Sequence, residues 1–313
     1  MKDISNADTG GNRTRVSRKP WNYRTYESIS GYGFTTPAIL AILAFTIIPI
    51  LMAVALVFMK YDILTPPTFV GFENILHIFK DPRLANSYLM TLRFVVLATI
   101  INNILGILLA VGINRAMPGV IRYLLRTALF FPVLTTSASL AVVWNYLLAA
   151  DRGVLNYLLG LIGIDPLPWL TNSTFALYSV VIYDVWRACG YMMVLYLAGL
   201  QAIPEAYNEA AKIDGASSIQ IFRFITLPLL SPTAFFCVVT SIIGASQVFD
   251  NAWVLTRGGP LDATRLIALY IYEVGFKAFD MGYASTISMT LLIILLLVTL
   301  FQFWVSKRWV NYE

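Results

Sequence analysis

Five long blocks of this chain carry no charged residue: 37–59, 94–113, 127–150, 229–249 and 283–306. Each holds about 20 residues or more, enough for a helix rising 1.5 Å per residue to cross a hydrocarbon core of roughly 30 Å. A sixth block, 175–203, is equally apolar except for Asp184 and Arg187. The pattern predicts an all-α, polytopic membrane protein with six transmembrane helices. Pro49, Pro132 and Pro232 lie within or at the start of these blocks. They would kink or start helices, which a bundle tolerates because neighbours satisfy the freed carbonyls.

Composition supports the same solvent. Apolar residues make up 58% and charged residues 12%, with a mean hydropathy of +0.72. A soluble domain carries about 25% charged residues, so half that number covers too little water-exposed surface. The isoelectric point of 9.1 gives no argument for nucleic acid, because the excess charge gathers at one side of the expected membrane. Cys189 and Cys237 fall in apolar blocks and read as small packing residues. His77, the one histidine, reads as surface or packing, with no partners for a metal site.

Six spans put both termini on one side. With the termini inside, the segments 1–36, 114–126, 204–228 and 307–313 hold 13 Lys and Arg residues, against 8 in 60–93, 151–174 and 250–282. The positive-inside rule therefore places 204–228 in the cytoplasm. The expected organisation is a basic N-terminal tail (1–36), a six-span domain (37–306) and a short cytoplasmic C-terminal tail (307–313). The first tail carries Arg13, Arg15, Arg18, Lys19 and Arg24 among polar residues, suited to mobility and to contact with anionic lipid. The block at 37–59 is too long for the core of a cleavable signal.

The cytoplasmic segment "EAAKIDGASSIQIFRFITLPLL", 209–230, interrupts two apolar blocks. Pro204 and Glu205 mark a helix start, with proline in the first turn and acid near the positive helix end. Asp214-Gly215 marks a turn, since glycine takes positive φ without steric cost. A second short helix would place Ile221, Phe222 and Ile225 near one face, with Pro228 ending it or bending it into the next span. Small alanines at the surface of the first helix would let another backbone approach, and an apolar stripe would anchor in a groove. A plain loop between spans does not call for all of these in 25 residues.

Glu209, Ala210, Ala211, Gly215, Ile225, Leu227 and Pro228 stand at the spacing of the EAA loop, and the segment resembles that loop in binding-protein-dependent ABC importer permeases. The flanking "AGLQAIPEAYNEAAKIDGAS" and "FDNAWVLTRGGPLDATRLIALYIYEVGF" resemble carbohydrate-uptake permeases of the maltose and glycerol-3-phosphate type. "LTRGGP" is typical of the first permease of such pairs. The resemblance covers about residues 37–306. Maltose-type permeases carry additional N-terminal spans and a large periplasmic domain that this sequence does not contain, which places it nearer the compact members. The resemblance implies a heterodimer of two similar permeases in a bacterial inner membrane. It implies two ATP-binding subunits inside, seated on the EAA loop, and a soluble solute-binding protein outside. It implies no cofactor on this chain, with ATP–Mg used by the partner subunits. The absence of GxxxxGK[ST] agrees with that expectation.

Asp184 and Arg187 are three residues apart, hence on one helix face at membrane depth. Ionisable residues there face a cavity or each other, so the pair reads either as an internal structural ion pair or as part of a solute path. By resemblance, Asp184, Arg187, Tyr191, Ser137 and Gln247 fall at positions that line the sugar site. Asn102 and Asn103 read as interhelical hydrogen-bond glue. A guanidinium suits a carboxylate, phosphate or sulfonate, which makes an anionic sugar derivative one expectation and a neutral glycoside the other.

The function expected is therefore solute import by alternating access, driven by separate ATPase subunits. The rival is a secondary transporter driven by an ion gradient, which predicts deep carboxylates without a charge partner and needs no coupling segment. A membrane enzyme would need clustered acids or HExxH, and neither is found in the sequence.

Overall fold

The computed structural model describes residues 21–114 and 118–311. The basic residues Arg13, Arg15, Arg18, Lys19 and Arg115, and the last two residues, lie outside the described residues. Residues up to Met52 form one unit, and Ala53–Glu313 another.

In the first unit α1 (Trp21–Ile42) passes through a π-helical turn at Leu43–Ile47 into α2 (Ile48–Leu56). The apolar stretch Glu27–Leu56 is long enough to cross a membrane. The helix begins at Trp21, so the second half of the expected tail is helical. The helix continues past Pro37, whose missing amide frees the Gly33 carbonyl, and Thr35 and Thr36 donate to the carbonyls of Gly31 and Tyr32, at 3.0 and 2.5 Å.

The second unit opens with a two-stranded antiparallel ribbon, β1 (Met59–Lys60) against β2 (Thr68–Phe69), with Met59 opposite Phe69. The short α3 (Glu73–Ile78) follows. α4 (Pro82–Asn114) is 33 residues long and starts well before its uncharged block. Its start is set by Asp81, whose carboxylate accepts from the amides of Arg83 and Leu84 at 2.9 and 3.1 Å, and by Pro82, which needs no amide partner. α8 (Ser173–Ala202) starts the same way on Asn172, and α15 (Met281–Ser306) on Asp280.

One block read as a single span, 127–150, is broken. α5 (Gly119–Leu134) and α6 (Ser137–Leu147) meet at 102°, with Thr135 and Thr136 extended between them. Pro132 removes the amide that would continue the ladder, and two β-branched residues follow. After α7 (Val154–Leu161), α8 and α9 (Glu205–Ile213), α10 (Ser218–Ile221) winds through a π turn at Phe222–Thr226 into α11 (Leu227–Leu229). This stretch meets α12 (Ser231–Ser246) at 65°. α13 (Asp250–Leu255), α14 (Ile267–Tyr272) and a π turn at Glu273–Lys277 lead to α15. Among the described residues, four helices are long and apolar enough to span, and up to six if each bent pair is one span.

The second unit is built on α4 and α8. A Cβ on Gly106 of α4 would lie 2.7 Å from the Met192 Cβ of α8. A Cβ on Gly190 of α8 would collide with the Leu129 carbonyl of α5. The two glycines thus let α8 lie against both neighbours. Phe94, Val180 and Ala252 are fully buried in one core cluster, and Met193, Leu230 and Cys237 in a second. A third joins Leu84, Ile267 and Ile287. Asn103 crosses the second cluster, accepting from the Tyr196 hydroxyl at 2.7 Å and donating to Ser241 at 3.1 Å. Cys189 and Cys237 are buried free thiols, and the His77 ring packs 4.3 Å from that of Tyr283.

Candidate functional sites: a coupling loop and a polar network

The segment 204–228 folds as helix, turn, helix. Pro204 is extended and caps α9 from outside, at φ −59° and ψ 132°, one residue before the expected first turn. α9 ends in a Schellman closure: the Ala216 amide bonds the Ala211 carbonyl at 2.9 Å and the Gly215 amide that of Lys212 at 3.1 Å. Gly215 sits at φ +81°, which a Cβ disfavours. Ser217 and Gln220 then form a reciprocal capping box that starts α10, satisfying amides at its N-terminus.

The surface of this loop differs from the stripe expected of it. Ala210 is exposed, but Ala211 is buried. Ile221 is buried, and Phe222 and Ile225 are half-buried. The exposed apolar side chains are instead Tyr207, Ile213, Ile219 and Phe224. The stripe of Ile221, Phe222 and Ile225 turns inward instead, with Ile221 and Phe222 lining a cleft shared with Leu108 and Val111 of α4. Pro228 lies at the start of α11, and the bend falls after it, between Leu229 and Ser231. Glu209 is exposed and Leu227 is 41% exposed. A cleft of about 470 Å³ separates Leu108, Val111 and Asn114 of α4 from Glu205, Asn208 and Phe222 of the loop.

The second site is a buried polar chain where the broken helices meet. Ser137, the first residue of α6, donates to Asn251 Oδ1 at 2.7 Å. Asn251 of α13 donates through Nδ2 to Asp184 Oδ1 at 2.8 Å. The Tyr183 hydroxyl donates to the Ser137 carbonyl at 2.5 Å. Asn251 is 2% exposed and Asp184 5%. Three elements, α6, α8 and α13, are therefore pinned at one point, and a carboxylate at this depth is supplied with a donor.

Of the solute-site residues expected from sequence, Ser137 and Asp184 are brought together through Asn251. Asp184 and Arg187 form no direct ion pair among the described residues. Arg187 is half-buried, and its Nε finds no hydrogen-bond partner among them. Tyr191, one turn further, is 40% exposed, and Gln247 is exposed at the end of α12. The face of α8 thus runs from a sealed polar core at Asp184 to an open surface at Tyr191. The Trp144 ring bridges Tyr183 and exposed Trp186, at 5.7 and 5.3 Å between centroids. Asn251 was not singled out in the sequence. Its signal was the need of a buried Asp184 for a donor.

The "LTRGGPLD" loop is locked at the other end of α4. Arg257, Leu261 and Asp262 all take positive φ, at 51, 50 and 61°. Asp262 pairs with Arg83 at 2.9 Å and also with Arg265. Arg265 reaches Glu273 at 2.6 Å, which Lys277 approaches at 3.4 Å. Tyr270 and Tyr283 donate to Asp81 at 2.6 and 2.8 Å. Burial acts to raise the Asp81 pKa, but the two phenols and the amides of Leu84 and Arg83 together hold it below the usual value. Glu273 behaves likewise, burial being outweighed by Arg265 and Lys277. Both carboxylates therefore stabilise the folded lock above their unfolded pKa values, and that contribution is lost as pH falls through the depressed folded ones. Protection of 257–266 against hydrogen exchange, relative to the intrinsic rate at each pH, is expected to hold from neutrality down to about pH 4.5, near the ordinary carboxylate range, and to fall below it. Asp81→Asn should lower protection already at neutral pH and leave a smaller further loss on acidification, that of Glu273.

The described residues form a helical domain with helices long and apolar enough to cross a membrane, two bent helix pairs and a structured loop between α8 and α12. Residues 102–311 match the family of binding-protein-dependent transport system inner membrane components, and the chain belongs to that family. The probable ABC transporter permease protein YesP of Bacillus subtilis (strain 168) is 36% identical over 308 residues, covering 97% of this chain and 98% of that one. The lactose transport system permease protein LacF of Rhizobium radiobacter is 32% identical, covering 91% and 96%. The fold is shared with a chain of the bacterial alginate ABC transporter, solved in complex with an alginate pentasaccharide-bound periplasmic protein. That match has a TM-score of 0.81 at 24% identity and covers 92% of this chain and 97% of the other. The protein is a transport subunit, not an enzyme.

Proposed function

We propose that this chain is one permease of an ATP-driven importer for a carbohydrate or sugar derivative, working by alternating access. The observation that carries this is the 204–228 loop, in a chain of this family and similar in sequence to a lactose permease. Glu209, Ala210, Ala211, Gly215, Ile225, Leu227 and Pro228 form the seat for an ATPase subunit, and exposed Ile213, Ile219 and Phe224 give it an apolar contact surface. Two such subunits use ATP–Mg, a second similar permease completes the path, and a solute-binding protein delivers solute outside. This chain binds no cofactor of its own. Ser137, Asp184, Arg187, Tyr191 and Gln247 belong to the solute path, with Arg187 the group able to read an anionic substituent. The six-span domain sits in the cytoplasmic membrane with both termini inside.

Co-purification of this chain with an ATPase subunit, and uptake that stops without ATP, are expected. Proton-coupled uptake by this chain alone would establish the secondary-transporter alternative. Orientation is tested by single cysteines replacing Ser218 or Leu261, both exposed, in a background lacking Cys189 and Cys237. An impermeant thiol reagent should label only the Leu261 position in intact cells. Labelling at Ser218 would invert the topology.

A further inference from the structure

The bend between α11 and α12 is held by a part of the chain expected only to be a tail. Pro232 has no amide to give the Pro228 carbonyl four residues earlier. Ser231 supplies the missing donor, its hydroxyl bonding that carbonyl at 2.6 Å. The same oxygen, on a side chain buried to 4% exposure, accepts the Asn311 amide at 2.9 Å. After α15 the chain turns back on itself, with the Trp309 and Val310 amides on the Ser306 carbonyl at 3.1 and 2.9 Å. The Trp309 ring meets the Phe235 ring of α12 edge-on at 6.2 Å, and Phe235 meets Phe303 of α15 at 5.1 Å. A cavity of about 380 Å³ lies between Leu227, Ala234 and Trp309. The junction is not packed solid, so one hydrogen bond and an aromatic relay set its geometry.

We propose that residues 307–311 are a strap tying α15 to the bend that follows the coupling loop, so that displacement of the loop carries α12 and α15 together. Ser231 and Trp309 are its positioning residues. The proposal rests on reading 204–228 as the ATPase-coupling segment. Its test uses the complete transporter in proteoliposomes with its solute-binding protein, reading solute moved per ATP hydrolysed. Asn311→Pro removes the bonding amide and also fixes φ at 311, whereas Asn311→Ala keeps the amide, and the Ser231→Ala background separates the two effects. Asn311→Pro and Trp309→Ala should lower solute moved per ATP about fivefold, the equilibrium shift of one lost neutral hydrogen bond, with assembly and ATP hydrolysis retained. Asn311→Ala and Trp309→Phe should match the parent. In a Ser231→Ala background, Asn311→Pro should add nothing. A parental ratio in Asn311→Pro overturns the strap. Gly215→Val separates the two readings: if it uncouples while Asn311→Pro does not, the strap alone fails. If neither uncouples, the coupling role of the loop fails first.

Discussion

Gly215→Val is expected to leave the protein folded in the membrane and to abolish both solute-stimulated ATP hydrolysis and uptake. The residue stands at φ +81°, and nothing lies within 4 Å of the position a Cβ would take. The substitution therefore meets no steric wall; its cost is backbone strain alone, roughly 1–2 kcal/mol for a left-handed residue and more for a β-branched one. That strain falls on the two hydrogen bonds that close α9 and on the capping box that opens α10. The first turn of α10 depends on that capping box, because its leading amides have no partners within the helix. The helix–turn–helix should open locally, while the core clusters, built from other residues, persist. Gly215→Asn should be nearly normal, because asparagine accepts this conformation. Ala210→Trp tests the surface directly: Ala210 is exposed, so the indole fits the free chain and obstructs only a partner. Normal coupling in both Gly215→Val and Ala210→Trp would remove the loop from the ATPase interface.

How much of this was readable in advance depended on whether a rule acts locally. The apolar blocks located α4, α8 and α15, because the solvent requirement of a span is a property of its own residues. Their true starts were also written locally, in Asp81-Pro82, Asn172 and Asp280, but a search for uncharged runs passes over caps that bear charge. The breaks at Thr135–Thr136 and Leu230 were marked by Pro132 and Pro232. Whether such a proline kinks a helix by a few degrees or folds it by 102° is decided by neighbours. The helix, turn, helix of 204–228 was legible to the residue at Gly215. Its exposed face was not, because the side of a short helix that turns inward is set by α4, about 110 residues away in sequence. The pairing of Asp184 is the clearest case of a missing distant partner. Arg187 is its neighbour along the helix, yet the hydrogen bond comes from Asn251, 67 residues away.

That geometry predicts opposite behaviour for two residues three positions apart. Asp184→Ala should largely abolish folded yield. It strands the Asn251 amide in the core, at about 1–3 kcal/mol for an unsatisfied group, and it releases the point where α6, α8 and α13 are joined. Asp184→Asn, which keeps an acceptor oxygen, should fold and remain detectable in the membrane. Arg187→Gln should fold at the parental yield, since its Nε has no hydrogen bond to lose among the described residues and no ion pair to Asp184 is broken. It should nevertheless cut uptake about tenfold or more, the weight of one charge-assisted hydrogen bond to an anionic group on the solute. An ion pair holding the helices together would give the reverse pattern. Arg187→Gln would then lose folded yield by stranding a buried carboxylate, and the double change with Asp184→Asn would restore yield and transport together. Measured by fluorescence-detected size exclusion and by uptake in the same membranes, parental yield with lost uptake assigns Arg187 to the solute path. Parental yield with parental uptake takes it out of that path.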